Sequence, residues 1–324
     1  MTAEPAPTAV PRYELHCHLD GSVRPSTVAE LARHGRIALS GPVEQLVTAP
    51  AGCGSLSRFL PYLDLPLRVL QTPEALRRVA RELVEDWSAD SVAHGEVRFA
   101  PQLHGEQGMA PDEAVAAVVA GLADGRATTG VATGLLLCCM RHQAPQESLS
   151  VAETALRHKG DVVGLDLAGD EQHHSGAPHR EAFELARAGG IARTVHAGEA
   201  AGPASVWEAI DVLGAQRIGH GVRCTGDSAL RERLRRDRIA LEMCPTSNVQ
   251  TGAVTSLPAH PATALLHDGL PITISTDTRT TSATTLRREF RQLRDVANWT
   301  TEHEARAQSH AADAIFAPPT SGEP

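Results

Sequence analysis

The sequence predicts an α/β fold of the (β/α)8 TIM-type barrel class, with a helical segment inserted after the first strand. Three observations carry this expectation. Eight short apolar runs alternate with longer amphipathic segments, the pattern of a parallel sheet covered by helices. The chain has 324 residues, and one such barrel takes about 250. Histidine, acidic and glycine residues recur where the apolar runs end, which is where barrel enzymes carry their chemistry. A count of eight favours a closed barrel over an open, doubly wound sheet.

Residues 1–11 are small and Pro-rich and are expected to form a disordered tail, as are residues 319–324. Residues 12–318 between them form the single expected domain. The first strand candidate is Tyr13–Cys17. A helix follows, and then an extended insertion over residues 40–90 that carries Leu56, Phe59, Tyr62, Leu63, Leu65 and Leu67. Spacing alone favours an extra packing helix here over a lid on a pocket. The remaining strands are expected at His94–Phe99, Gly134–Cys139, Val162–Leu167, Ala192–Val195, Arg217–Gly219, Ala240–Met243 and Ile272–Ser275. Helical periodicity falls between most of them, at Glu74–Asp86, Pro111–Leu122, Arg180–Ala188, Ser228–Arg236 and Thr284–Val296. No internal repeat is evident.

Composition excludes several function classes. The net charge is −9, whereas a nucleic-acid backbone calls for a concentrated basic surface; no nucleic-acid partner is expected. No stretch approaches the ~20 apolar residues of a membrane span, and the start MTAEPAPTAVP lacks the basic and apolar regions of a signal peptide. The six cysteines, Cys17, Cys53, Cys138, Cys139, Cys224 and Cys244, are scattered without a C-x-x-C pair and read as reduced thiols. A cytoplasmic location is expected. The oligomeric state is not legible.

His16 and His18 lie two apart on a strand, so both imidazoles point to one face and Cys17 to the other. Such a pair is a natural two-point metal clamp, although with 16 histidines in the chain it is weak evidence alone. His196 and Glu199 follow the fifth strand, His220 ends the sixth and Asp277 ends the eighth. Each taken singly reads as a satisfied structural residue; the joint pattern does not. His16, His18, His196 and Asp277 offer three imidazoles and a carboxylate, a good donor set for one zinc ion per chain. A two-metal site bridged by a carboxylated lysine is disfavoured because the single lysine, Lys159, precedes the fourth strand. Two stretches, His94-Gly95-Glu96 and His104-Gly105-Glu106, fit the first half of the H-x-E…P-C-x-x-C zinc signature, but its P-C-x-x-C half is absent.

Over nearly its whole length the chain resembles the adenosine deaminase family. The matching segments are Glu14-Leu15-His16-Cys17-His18-Leu19-Asp20-Gly21-Ser22, Glu96-Val97-Arg98-Phe99-Ala100-Pro101, Leu165-Asp166-Leu167-Ala168-Gly169-Asp170-Glu171, Thr194-Val195-His196-Ala197-Gly198-Glu199, Arg217-Ile218-Gly219-His220-Gly221 and Cys244-Pro245-Thr246-Ser247-Asn248. The resemblance implies zinc held by His16, His18, His196 and Asp277. It implies catalytic roles for Glu199, which handles the proton at purine N1, and His220, which orients the attacking hydroxide. The Gly169 N–H would contact N3, and Asp20 the ribose 5′-hydroxyl. The apolar helix at residues 56–67, with Leu56 and Phe59, would be a gate over the pocket, which reverses the reading from spacing.

One position departs from the family pattern. Asp277 is followed by Thr278 where the resemblance implies a second aspartate at purine N7. The hydroxyl of Thr278 can still hydrogen-bond but is shorter and uncharged. The function expected is hydrolytic deamination of adenosine or a closely related 6-aminopurine nucleoside. A modified adenosine, such as 6-amino-6-deoxyfutalosine or a specialised-metabolite nucleoside, is the alternative. A nucleoside-binding barrel without turnover is less consistent with the presence of both Glu199 and His220. Bland readings are expected elsewhere: a structural or supporting role for Glu96-Val97-Arg98, supporting electrostatics or simple solvation for Asp170-Glu171, an exposed pair at His173-His174, packing at Cys244 and a solvated face over Arg231–Arg238.

Overall fold

The computed structural model of the protein describes residues 11–316; apart from Pro11, the two expected tails lie outside the described residues. Its strands are β1 (Arg12–His18), β2 (Val92–Phe99), β3 (Ala132–Met140), β4 (Val162–Ala168), β5 (Ala192–Ala197), β6 (Arg217–His220), β7 (Ala240–Met243) and β8 (Ile272–Ile274). All neighbouring pairs are parallel and sheet order follows chain order. Helices alternate with the strands on the outside, giving the expected (β/α)8 barrel.

The seam between β8 and β1 is closed by residues of the expected metal set. Cys17 pairs with Asp277 just beyond β8. The His18 N–H donates to the Asp277 carbonyl at 2.6 Å, and the Asp277 N–H to the His16 carbonyl at 2.8 Å. Backbone pairing thus sets how far apart these side chains stand.

Side-chain alternation along each strand divides apolar from polar. Cys17, Val97, Leu135, Leu137, Leu165, Leu167, Val195, Ile218, Leu241, Ile272 and Ile274 join the main apolar cluster beneath the helices. The residues between them are Glu14, His16, Glu96, Arg98, Asp166, Thr194, His196, Arg217, Glu242 and Thr273, and all are buried. Barrel interiors are usually filled by layers of branched aliphatic residues. This one is largely ionic, and Gly219 makes room for it: a Cβ there would sit 3.0 Å from His16 Cε1.

The inserted segment does not form the single apolar helix expected over residues 56–67. It runs as a helix at Leu56–Phe59, a 3-10 turn at Leu60–Leu63 and a helix at Asp64–Val69. Pro61 and Pro66 remove backbone donors within the run. The helix expected to stop at Leu122 continues to Thr129 and ends on Gly130 in the left-handed conformation, φ 77°. Gly121 and Gly125 within it face the helix Pro73–Ala89. They are packing contacts: a Cβ at Gly121 would lie 2.1 Å from the Arg77 carbonyl oxygen on the helix Pro73–Ala89. The final helix, Thr301–Ala314, packs on β8 and β1. Its alanine-rich run has little amphipathic contrast, so no sequence expectation covered it.

Candidate active site

The ends of β1, β5, β6 and β8 meet at one point. His16, His196, His220 and Asp277 present donor atoms all within 4.8 Å of one another. His18 joins them, with Nε2 3.1 Å from His196 Nε2 and 3.5 Å from Asp277 Oδ1. Five candidate groups therefore converge, one more than the set expected to hold metal. Hydrogen bonding separates them.

His16 Nδ1 lies 2.8 Å from Glu242 Oε2, and His196 Nδ1 lies 3.0 Å from Asp166 Oδ2. A carboxylate at Nδ1 holds the proton there and leaves the Nε2 lone pair facing the centre. His16 Nε2 is buried and has no hydrogen-bond partner. Asp277 turns one oxygen to the centre and accepts from Ser247 Oγ with the other, at 2.6 Å. Convergent lone pairs with an orphaned buried nitrogen fit a metal cation.

His220 is wired differently. His260 Nδ1 accepts from the Ala262 N–H, so the proton on its ring sits on Nε2 and is donated to Asn248 Oδ1 at 3.1 Å. The Asn248 amide then donates to His220 Nδ1 at 2.9 Å. In neutral His220 the proton is thereby assigned to Nε2. That atom faces Glu199 Oε2 at 3.5 Å. A ring that presents N–H to the cavity is suited to proton handling and not to ligation.

Glu199 stands beyond β5. Burial pushes its carboxyl above the usual range; His220 opposes the shift and Asp277 adds to it. Burial also raises Asp20, to about 6. Two residues here hold left-handed backbones without being glycine, His220 (φ 62°) and Asp277 (φ 63°). Such strain recurs at functional sites.

One cavity joins these groups. His18, His196, Glu199, His220 and Asp277 line its floor, and Asp20, Gly169 and Thr278 its sides. Leu56, Phe59, Leu60, Leu63 and Leu103 line its apolar rim. Every residue expected to touch substrate or metal is thus on this wall, except His16 behind it. Gly169 turns with φ +97°, a conformation glycine takes without strain. Lys159 is exposed in the turn before β4, away from the cavity.

Supporting residues complete the site. Arg98 donates to Asp166 at 2.9 Å and to Glu242 at 2.8 Å, so a single guanidinium joins the carboxylates behind His16 and His196. Glu242 also accepts from Arg217 at 2.6 Å and from Thr194 at 3.0 Å. The supporting role weighed for Arg98 matches this geometry. Glu242 was missed; its one sequence signal is an acidic residue inside the apolar run Ala240–Met243. Of the bland readings, His173 is exposed and bonded to Asp170 at 2.7 Å, and the arginines over Arg231–Arg238 pair with acids on the surface. All six cysteines are free and buried.

Comparisons with known proteins place the chain in a family. A family model described as adenosine deaminase matches residues 11–322. An adenosine deaminase of Mycobacterium leprae is 42% identical over 306 residues, covering 87% of this chain and 84% of the relative. A solved adenine deaminase from Arthrobacter aurescens superposes with a TM-score of 0.90 at 28% identity, covering 95% of this chain and 94% of that one. An N6-methyl-AMP deaminase from Arabidopsis thaliana superposes with a TM-score of 0.84 at 27% identity, covering 95% and 93%.

Proposed function

The chain belongs to the adenosine deaminase family, and from that premise we propose that it removes the 6-amino group of adenosine by hydrolysis, leaving inosine and ammonia. The observation that carries the reading is the approach of Glu199 to His220, 3.5 Å apart beside a metal-fitting cluster. The cation is zinc, one per chain, held by His16, His18, His196 and Asp277. Imidazole with carboxylate is a donor set that suits it. When bound, it would supply Lewis acidity that activates the attacking water.

The chain's own residues do the rest. Glu199, kept toward its acid form by burial, protonates purine N1. That withdraws electron density from C6 and opens it to attack by water. His220 orients the attacking oxygen and takes part in moving its proton. The proton given to N1 stays on the product; of the two protons of the attacking water, one returns Glu199 to its acid form and the other goes to the amino group, which leaves as ammonia. Gly169 holds the base by its N–H, and Thr278 borders the ring. The apolar rim at Leu56 and Phe59 excludes bulk water, which strengthens each polar contact within.

Asp20 supports a nucleoside over a nucleotide. Among the described residues no arginine or lysine lines the cavity, and a phosphate near Asp20 would meet a like charge. The relatives named adenosine deaminase, at 42% identity, favour adenosine over modified nucleosides. Reduced buried thiols support a cytoplasmic location.

The deciding experiment sets adenosine, 2′-deoxyadenosine, adenine, AMP and N6-methyl-AMP side by side in an ultraviolet turnover assay, with metal content measured on the same sample. Adenosine is expected to have the highest kcat/KM and zinc to be the metal found. Preference for AMP or adenine would overturn the nucleoside reading.

A further inference from the structure

Glu171 is buried three residues beyond β4, and its side chain makes an unusual set of bonds. Its carboxylate accepts four consecutive backbone N–H groups from the bend that follows β5. Oε1 takes Gly198 at 2.6 Å; Oε2 takes Glu199 at 3.0 Å, Ala200 at 2.6 Å and Ala201 at 3.1 Å. The bend can present its donors on one side because Gly198 turns with φ 71°. Val206 and Gly221 pack against it: a Cβ on Gly198 would lie 2.8 Å from Val206 Cγ2.

We propose that Glu171 is a positioning residue, whose carboxylate gathers the N–H groups of residues 198–201 and so sets the direction from which Glu199 enters the cavity. One of the four donors is the backbone of Glu199 itself. Without an acceptor, buried N–H groups would turn toward other partners and carry the side chain with them. Charge-assisted bonds are stronger and shorter than neutral ones, which suits a latch on a loop.

A second latch comes from the loop after β3. Arg141, also buried, donates to the His174 carbonyl at 3.3 Å and to the His196 carbonyl. Arg141 thereby ties the loop after β4 to the end of β5, beside the bend that Glu171 gathers. Gly169 and Glu199, assigned to N3 and N1 of the base, are registered to each other through Glu171.

The inference rests on Glu199 as the proton carrier. Glu171→Gln is the informative variant: it keeps shape but offers one acceptor oxygen, so its NH2 opposes at least one of the four donors. In the full chain with its metal, kcat is expected to fall about 10²-fold, since a displacement near 1 Å costs that much. KM should stay within about threefold, and metal content should equal that of the parent. Hydrogen exchange of the 198–201 amides should be slow in the parent and faster in the variant.

Three results would overturn the proposal: unprotected 198–201 amides in the folded parent, a variant with accelerated exchange but unchanged kcat, or a fall in kcat explained wholly by metal loss. The parent exchange measurement decides even if the variant does not fold. Glu199→Gln separates the two levels of the argument. If that variant turns over normally, the proton role has failed; if it is inactive while Glu171→Gln is active, only the positioning role has failed.

Discussion

Thr278 Oγ1 lies 2.9 Å from Ser282 Oγ, so the residue that departs from the family pattern already has a hydrogen-bond partner. Its methyl group closes against Gly21, where a Cβ would come within 2.2 Å of Thr278 Cγ2. The hydroxyl is held at the cavity wall as a neutral group.

Thr278→Asp replaces that group with a charged acceptor beside the base. A hydrogen bond to a charged group is worth roughly 1 kcal/mol more than a neutral one, or several-fold in rate. The variant is expected to raise kcat/KM for adenosine by that amount. A fall for adenosine with no change for another purine would instead show that Thr278 serves a different base.

Glu199→Gln removes the proton without changing the shape of the side chain. Turnover should drop about 10²–10⁴-fold, the usual share of general acid catalysis, while metal content stays at the parental level. Near-normal kcat would contradict the role at N1.

Arg98 joins Asp166 and Glu242, each bonded to an imidazole of the metal set. Arg98→Lys keeps the charge but cannot span both carboxylates. Metal affinity, measured by competition with a chelator, is expected to weaken about 10–100-fold. An unchanged dissociation constant would mean that β1 and β5 hold His16 and His196 without this bridge.

Asn248 donates to His220 Nδ1. Asn248→Asp puts an acceptor there and draws the proton to Nδ1, reversing the tautomer. A kcat loss on the order of 10²-fold is expected, with the His220 ring nitrogens exchanging their signals in 15N spectra. Retention of the parental pattern would show that the tautomer is set elsewhere.

Glu289 is buried, and desolvation raises its carboxyl to about 7; bonds from Thr246 and Thr284 oppose the shift. The folded protein therefore holds a proton that the unfolded chain releases near 4.5. Between those values the folded state binds more protons, so this group's contribution is complete below the lower value and is lost as pH rises through the upper one. Glu289→Gln should gain stability relative to the parent between pH 5 and pH 8, by up to ~3 kcal/mol. Thermal unfolding of both at the two pH values checks this; a constant difference would refute it.

The strands were legible because their apolar runs are short and bounded by polar residues; Ala240–Met243 begins and ends as expected. Helix ends were less so. Gly125, just past the expected end at Leu122, is a site of close helix contact in space and not a stop. The insertion shows the converse: its leucines repeat as in one helix, but Pro61 and Pro66 divide it.

What the sequence by itself determined was the inventory: a barrel, a set of histidines and acids at its strand ends, and a single departure at Thr278. Those are properties of residue type and local spacing, which the chain carries without folding. Only the tertiary structure decided which nitrogen of each histidine faces inward. Glu242 reaches His16 from 226 positions away, and Asn248, in the helix after β7, reaches His220 at the end of the neighbouring β6. It also decided that Glu171 bonds the loop of Glu199 and is not merely solvated, because four N–H groups converge on one carboxylate only after β4 and β5 have paired. Tautomers and loop directions depend on partners distant in the chain, and closing the barrel is what brings those partners within hydrogen-bonding distance.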